Sequence, residues 1–373
     1  MKGKKKGSLY WKIILVQIAL VILFGGLVRI TSFSDFFVDH IFGRISGVYS
    51  RLTGVFPFSV GEGMLFLAGL AILLELFVFP VLMISLLRKK RILSDSFLSF
   101  ARRYSKVFLC LFLLVVWIMI LNCSSLYHTS KLNVKGHGNK TYSAEEIQIV
   151  RDYIANQCNE LSVKMDRDDD GNVQITQDRQ QCVLLAMKHL SEEYPRLSGY
   201  YPNPKPIQNS YIMYQAGCDG VYFPFTMEAN YNRYISDIRY LHVACHELSH
   251  LKGYIYEDEA DFLAFLACTE SEDEAMQYAG YLAVFWYVNN DCEKVNGREN
   301  NGVLLRDEVY RDSGSYTSQR LAWLESKHTI LSTQTVETAS DGFTNSYMTY
   351  YDATPNYDEV TELILDYYDG ILY

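Results

Sequence analysis

Between residues 243 and 264 the chain reads VACHELSHLKGYIYEDEADFLA. His246 and His250 stand four apart, with Glu247 directly after the first. On an α-helix that spacing stacks both imidazoles on one face, one turn apart, where they can share a metal ion. Glu247 falls just off that face, where a carboxylate can take a proton from water. Gly253 suits the end of such a helix, because glycine tolerates the left-handed cap. An acidic stretch, Glu257-Asp258-Glu259-Ala260-Asp261, follows almost at once.

Two histidines leave a hydrolytic zinc ion one protein ligand short, with a further position reserved for water. Glu257 is the candidate third ligand and Glu259 the alternative. Glu257 and Asp261 share a helical face, so Asp261 is placed to orient a ligand histidine from behind. Ala260 and Ala264 form a small-residue stripe that lets two helices approach closely. Tyr256 stands where a longer zinc motif places a third histidine, so the expected ligand set is His-His-Glu. Acidic residues at a helix start also favour the helix dipole, and the ligand assignment therefore rests on their proximity to the paired histidines. His242, one turn before His246, reads as a satisfied core histidine, and Cys245 as a packing residue.

These residues need a rigid, buried platform. The approach at Tyr240–Cys245 is apolar enough for a buried helix, and GVYFPFTMEANY at 220–231 is β-rich. Within it Glu228-Ala229-Asn230 is the candidate edge strand for pairing with a substrate backbone; the alternative is that Glu228 and Asn230 fix a turn. Ser143-Ala-Glu-Glu146 is a capping box that opens a helix to about Val163. Residues 177–193, 270–289, 306–327 and 357–368 carry helical periodicity. Residues 195–215 read as a loop, and 332–355 as a polar, weakly patterned segment.

Composition divides the chain in two. Fifteen of the 34 basic residues precede Cys123, but only five of the 43 acidic ones do. Residues 1–122 contain three apolar runs, at about 9–30, 63–87 and 105–122, each able to span a bilayer with its flanks. The runs, with no small-residue cleavage site after the first, indicate a signal anchor and a membrane domain. Lysines at 2, 4, 5, 6 and 12, and the basic segment 88–106, place those two regions in the cytoplasm. Residues 123–373 then lie outside as a second, mostly helical α+β domain. Its acidic balance argues against nucleic acid as a partner. Glu75 sits mid-span, where an ionised carboxylate is costly, and reads as protonated or paired within the bundle, the alternative being a functional path. Pro80 reads as a kink.

Eight cysteines lack CxxC spacing, and seven of them lie from Cys123 onward, so free buried thiols are expected, with Cys158–Cys182 the one plausible pairing. Residues Asp166 to Val173 match the first half of a calcium-binding loop. Gln177 replaces the bidentate glutamate that such a loop needs, which argues against Ca2+ between Asp166 and Gly171.

Three stretches resemble the DUF3810 family of bacterial membrane proteins: RISGVYSRLTGVFPFSVGE at 44–62, FPFTMEAN at 223–230 and EDEADFLAFLA at 257–267. The family usually has asparagine where Asp261 stands, a departure that leaves the ligands untouched. The resemblance implies a multi-pass protein of the bacterial cell membrane with a zincin-like domain, and names no substrate. The expected activity is zinc-dependent hydrolysis of a peptide or protein substrate outside the membrane, with Glu247 as base and one Zn2+ on His246, His250 and Glu257. The alternatives are a non-catalytic zinc-containing sensor or assembly factor, and a scaffold in which the spans do the work. Nothing in the sequence fixes an oligomeric state.

Overall fold

The structure is a computed structural model that describes residues 2–87, 94–134, 140–297, 302–327, 331–351 and 357–373. It is mainly helical. Three helices are long and apolar enough to cross a membrane: α1 (Lys2–Leu27), α4 (Val60–Leu87) and α5 (Asp95–Met119). Between the first two lie α2 (Thr31–Phe37), a π-helical turn and α3 (Gly43–Thr53). The third helix begins at Asp95, capped by Ser94, rather than near residue 105 where its apolar run starts. Basic residues 88–91, which carry much of the orientation argument, lie outside the described residues.

Helices α4 and α5 pair through polar contacts inside the apolar bundle. Tyr104 donates to the Ala71 carbonyl at 2.7 Å, and Ser105 donates to the Glu75 carboxylate at 3.2 Å. Glu75 is therefore partnered across the helix pair, as expected. Phe24 of α1 meets Trp117 of α5 edge-on, with ring centroids 5.3 Å apart.

Beyond α5 follow α6 (Ala144–Ser162), α7 (Arg179–Leu190), β1 (Lys205–Ile207), α8 (Ser210–Gln215), β2 (Gly220–Phe223) and β3 (Glu228–Asn232). Then come α9 (Asp237–Leu251), α10 (Glu257–Thr269), α11 (Glu274–Asn296), α12 (Asp307–Asp312), α13 (Ser318–Glu325), α14 (Thr333–Tyr351) and α15 (Tyr357–Tyr368). The capping box forms as read: Ser143 Oγ accepts from the Glu146 amide at 3.2 Å, and Glu146 accepts from the Ser143 amide at 2.7 Å. The core is built from α9, α10 and α11, with α6 against α11 and the small sheet against α9. Both α9 and α10 are buried on nearly every side. Their mixed apolar and small residues suit interior rather than surface helices.

The sheet corrects one expectation. Its strand order is β1-β3-β2, with β1 parallel and β2 antiparallel to β3. Glu228 and Asn230 thus lie on the central strand, and β1 and β2 are the edges. Residues 306–327 also differ from the continuous helix expected. The chain breaks between α12 and α13 because the Ser315 carbonyl accepts from the Ser236 amide and its hydroxyl donates to Asp219, at 2.8 and 2.7 Å. Tertiary hydrogen bonds override helix continuity there. Residues 333–351, expected to be weakly patterned, form the helix α14.

Residues 31–59 are not a mere connector between spans. Phe37, Val38 and Phe42 belong to the same buried core as α9 and α10. Ser46 Oγ donates to the Leu251 carbonyl at 3.0 Å, and Ser50 Oγ to the Met227 carbonyl at 3.1 Å. At the first turn of α4, Glu228 accepts from the Val60 and Gly61 amides at 3.1 and 2.8 Å. The same carboxylate is paired with Lys205 Nζ at 2.6 Å, both side chains almost fully buried.

It follows that a fragment of residues 123–373 expressed alone does not fold as the full chain does. Loss of Phe37, Val38 and Phe42 removes about 1.5–3 kcal/mol per buried side chain, a large part of ordinary domain stability. A cooperative melt of that fragment matching the full chain's would exclude this account.

Candidate metal centre

Ser236 caps α9, its Oγ accepting from the Arg239 amide at 3.3 Å. The helix ends in a paired reversal. The Gly253 amide donates to the His250 carbonyl at 3.0 Å and the Tyr254 amide to the Ser249 carbonyl at 3.2 Å. Gly253 has φ +99°, which only glycine adopts readily. This turn brings the Tyr254 carbonyl beneath the ring of His250, whose Nδ1 lies 2.7 Å from it.

His246 is held in a parallel way. Its Nδ1 lies 2.8 Å from the Asp261 carboxylate on α10. With both Nδ1 atoms occupied, both Nε2 atoms face Glu257, the first residue of α10. His246 Nε2 is 3.2 Å from Glu257 Oε2, and His250 Nε2 is 3.7 Å from Glu257 Oε1. The donor atoms of His246, His250 and Glu257 all lie within 4.8 Å of one another. Two ligands on a tetrahedral ion, each about 2.0–2.1 Å from it, sit about 3.3 Å apart. The three side chains, two imidazoles and a carboxylate, fit a single divalent ion on both spacing and chemistry.

The electrostatics point the same way. Burial would raise Glu257, but His250 and His246 beside it hold its carboxyl well below the usual range. Burial pulls the His246 imidazole down, and Asp261 and Glu257 outweigh that pull and hold it well above its ordinary value. This compact set of opposite charges is what a cation between them would replace.

Glu259 takes a different role. It is buried and accepts from the Leu132 amide at 2.6 Å, tying down the strand of chain that leaves α5. Glu257 is therefore the carboxylate brought to the histidines. Glu257→Gln is expected to lower metal affinity by at least ~100-fold, more than losing a supporting residue behind a ligand, while Glu259→Gln leaves it unchanged. Metal per chain after dialysis against a graded chelator separates the two.

Burial pushes Glu259 up to about 7 from 4.5. Such a group contributes stability that is complete below pH 4.5 and lost as pH rises through 7. The melting temperature of Glu259→Gln should accordingly gain on the wild type as pH climbs through that window. A constant difference across it would refute the assignment.

Glu247 lines the same cleft, of about 600 Å³, with the three ligands. Its Oε2 is buried without a hydrogen-bond partner. Burial raises its carboxyl to about 7, against the opposing pull of His246 and His250. Gly220 of β2 lies against it so closely that a β-carbon there would collide with the Glu247 carboxylate and come within 2.8 Å of Val243 Cγ1. His242 also lines the cleft, and its Nε2 has no hydrogen-bond partner. It is therefore not the satisfied core histidine expected. Burial lowers it to about 4, so it is neutral at physiological pH.

Several cleft residues escape a sequence reading. Arg239 and Asp219 pair at 2.8 Å on one wall. Cys123 and Tyr127, at the end of the third span, line another, together with Tyr347 and Met348 of α14. The spacing Phe343, Tyr347, Tyr351 is the one signal that announces α14. It is diluted by the polar residues between.

All eight cysteines are free thiols. Cys158 and Cys182 are not bonded, and Cys245 and Cys268 lie with sulfurs 4.0 Å apart between α9 and α10. In the acidic loop, Asp168 accepts from the amides of Asp170 and Asn172 and from the Asn172 side chain, at 2.8–3.2 Å. That carboxylate is engaged in holding its own turn.

A family model described as "Protein of unknown function (DUF3810)" matches residues 37–365. No curated protein and no solved structure matches the chain.

Proposed function

As the chain belongs to the DUF3810 family over nearly its whole length, we propose from its geometry that it is a membrane-anchored zinc metallopeptidase of the bacterial cell membrane. Its N-terminus and the basic 88–106 segment face the cytoplasm, and the domain carrying the cleft lies outside. One observation carries the reading: an unpartnered, buried Glu247 carboxylate shares a cleft with three side chains that converge as a metal ligand set.

His246, His250 and Glu257 would hold the ion. Zinc bound there acts as a Lewis acid that polarises a scissile carbonyl and makes water acidic at neutral pH. The rest is the work of the chain itself. Asp261 and the Tyr254 carbonyl fix the two imidazoles so that each presents Nε2. Glu247, whose carboxyl burial raises to about 7, would be basic enough to take a proton from water and acidic enough to return it to the leaving amine. Gly220 leaves Glu247 the room to do so, and β2, an edge strand, would pair with an extended substrate backbone.

The test uses the full chain purified in detergent. Zinc per chain is measured first, then cleavage of a broad peptide library. One zinc with cleavage supports the peptidase. One zinc with no cleavage in the library or in membrane-tethered versions of it points to a non-catalytic sensor or assembly factor. No zinc in a folded chain refutes the proposal.

A further inference from the structure

The cleft is walled in part by the residues at which the third span ends. Cys123 and Tyr127 line it, and Asn122 Nδ2 donates to the Pro224 carbonyl of its rim at 2.9 Å. A second cavity, of about 500 Å³, lies between the last turns of α1 and the end of α5. Its lining includes Val21, Gly25, Val115 and Met119, with Arg29 at its outer end and Tyr350 and Tyr351 of α14. A β-carbon on Gly26, beside it, would meet nothing within 4 Å.

Helix α14 borders both spaces. Tyr347 and Met348 face the cleft, and Tyr350 and Tyr351 face the cavity between the spans. The two pairs are offset by three positions along the helix, about 4.5 Å of rise. Tyr127 bridges the two, stacked on Tyr351 at 4.4 Å and edge-on to Tyr347 at 5.8 Å. The groove lies on helices apolar enough to span a bilayer, so an occupant would arrive from within it.

Resting on the peptidase reading, we propose that the substrate is a membrane-anchored polypeptide. Its spanning segment lodges in the groove between α1 and α5, and the stretch just outside the bilayer is cut in the adjoining cleft. A lipid chain fits the groove as well as an apolar helix does, but β2 beside Glu247 is an edge for pairing with an amide backbone, which a lipid lacks.

The experiment places the full chain in lipid nanodiscs with a randomised peptide library in three forms. In one form the library directly abuts a membrane-spanning helix, in another a long flexible linker separates them, and the third is free. The directly abutting form should be cut at least tenfold faster than the linked form, which shares its enrichment at the membrane. Gly26→Trp, which fills the groove, should bring that ratio towards one.

A second readout does not depend on turnover. With Glu247→Gln and a photoreactive residue in place of Ile22, light should join the chain to the anchored peptide. The same residue in place of Leu73, exposed on α4, should not. Equal cleavage of abutting and linked forms, or capture at Ile22 of labelled phospholipid alone, overturns the proposal and leaves the peptidase reading standing. Capture of the anchored peptide by a chain that cuts none of the three forms supports the groove and removes the peptidase.

Discussion

On the proposed peptidase reading, Glu247→Gln should lower peptide cleavage by roughly 10²–10⁴-fold and leave zinc per chain unchanged, the range expected when one positioned acid–base group is removed. Glutamine keeps the shape that packs against Gly220 and Val243, so the cleft is not remodelled. It cannot accept a proton at neutral pH, and the ligand set does not include it. Activity and metal should thus be separable at this position, whereas at His246, His250 or Glu257 they should fall together. If the variant lost zinc along with activity, Glu247 would be a ligand or a structural prop. If it kept activity, the cleft would not be using it.

The second large effect lies far from the chemistry. Glu228→Ala should destabilise the full chain by about 3–5 kcal/mol, because it strips a buried lysine of its partner. Lys205 Nζ, the amides of Val60 and Gly61, and the Thr226 hydroxyl all donate to this one carboxylate. Pairing Glu228→Leu with Lys205→Met should recover part of that loss, since no lone charge is then left buried. Thermal unfolding of the wild type, Glu228→Leu, Lys205→Met and their double variant as a cycle isolates the coupling. A single Glu228→Ala melting with the wild type would show that the junction is not held by this pair.

Much of the candidate site was legible because its signals are local. The four-residue spacing of His246 and His250, the glycine at 253 and the Glu257–Asp261 pair are each read within one or two helical turns. The structure brings these residues together, with Asp261 behind His246 as expected. The three apolar helices follow from length and composition alone. What stayed hidden depends on contacts distant in sequence. Glu228 sits centrally because β1, three residues long among Pro202, Pro204 and Pro206, pairs on its far side. No periodicity can announce so short a strand. Helix α14 owes its place to aromatic contacts with Tyr127, some 220 residues away. The role of residues 31–59 was invisible for the same reason: Phe37, Val38 and Phe42 look like ordinary interfacial residues until α9 and α10 are there to receive them.

That packing has a consequence for how the protein meets anything it acts on. The polypeptide passes between spans and domain at the end of α1, the start of α4 and the end of α5. Each passage is stitched down: Ser34 to the Val28 carbonyl, Glu228 to the first turn of α4, Asn122 to Pro224. A body hinged at one point sweeps a volume, and one hinged at two points swings like a door. Tethered at three passages, the domain has less freedom to turn than a body held at one or two. On the proposed topology, the cleft would then keep a nearly constant height and heading above the sheet of lipid. Encounters become a search over area rather than volume, governed by how many candidates share each patch of membrane and how far from their own anchor they carry a bond at that height.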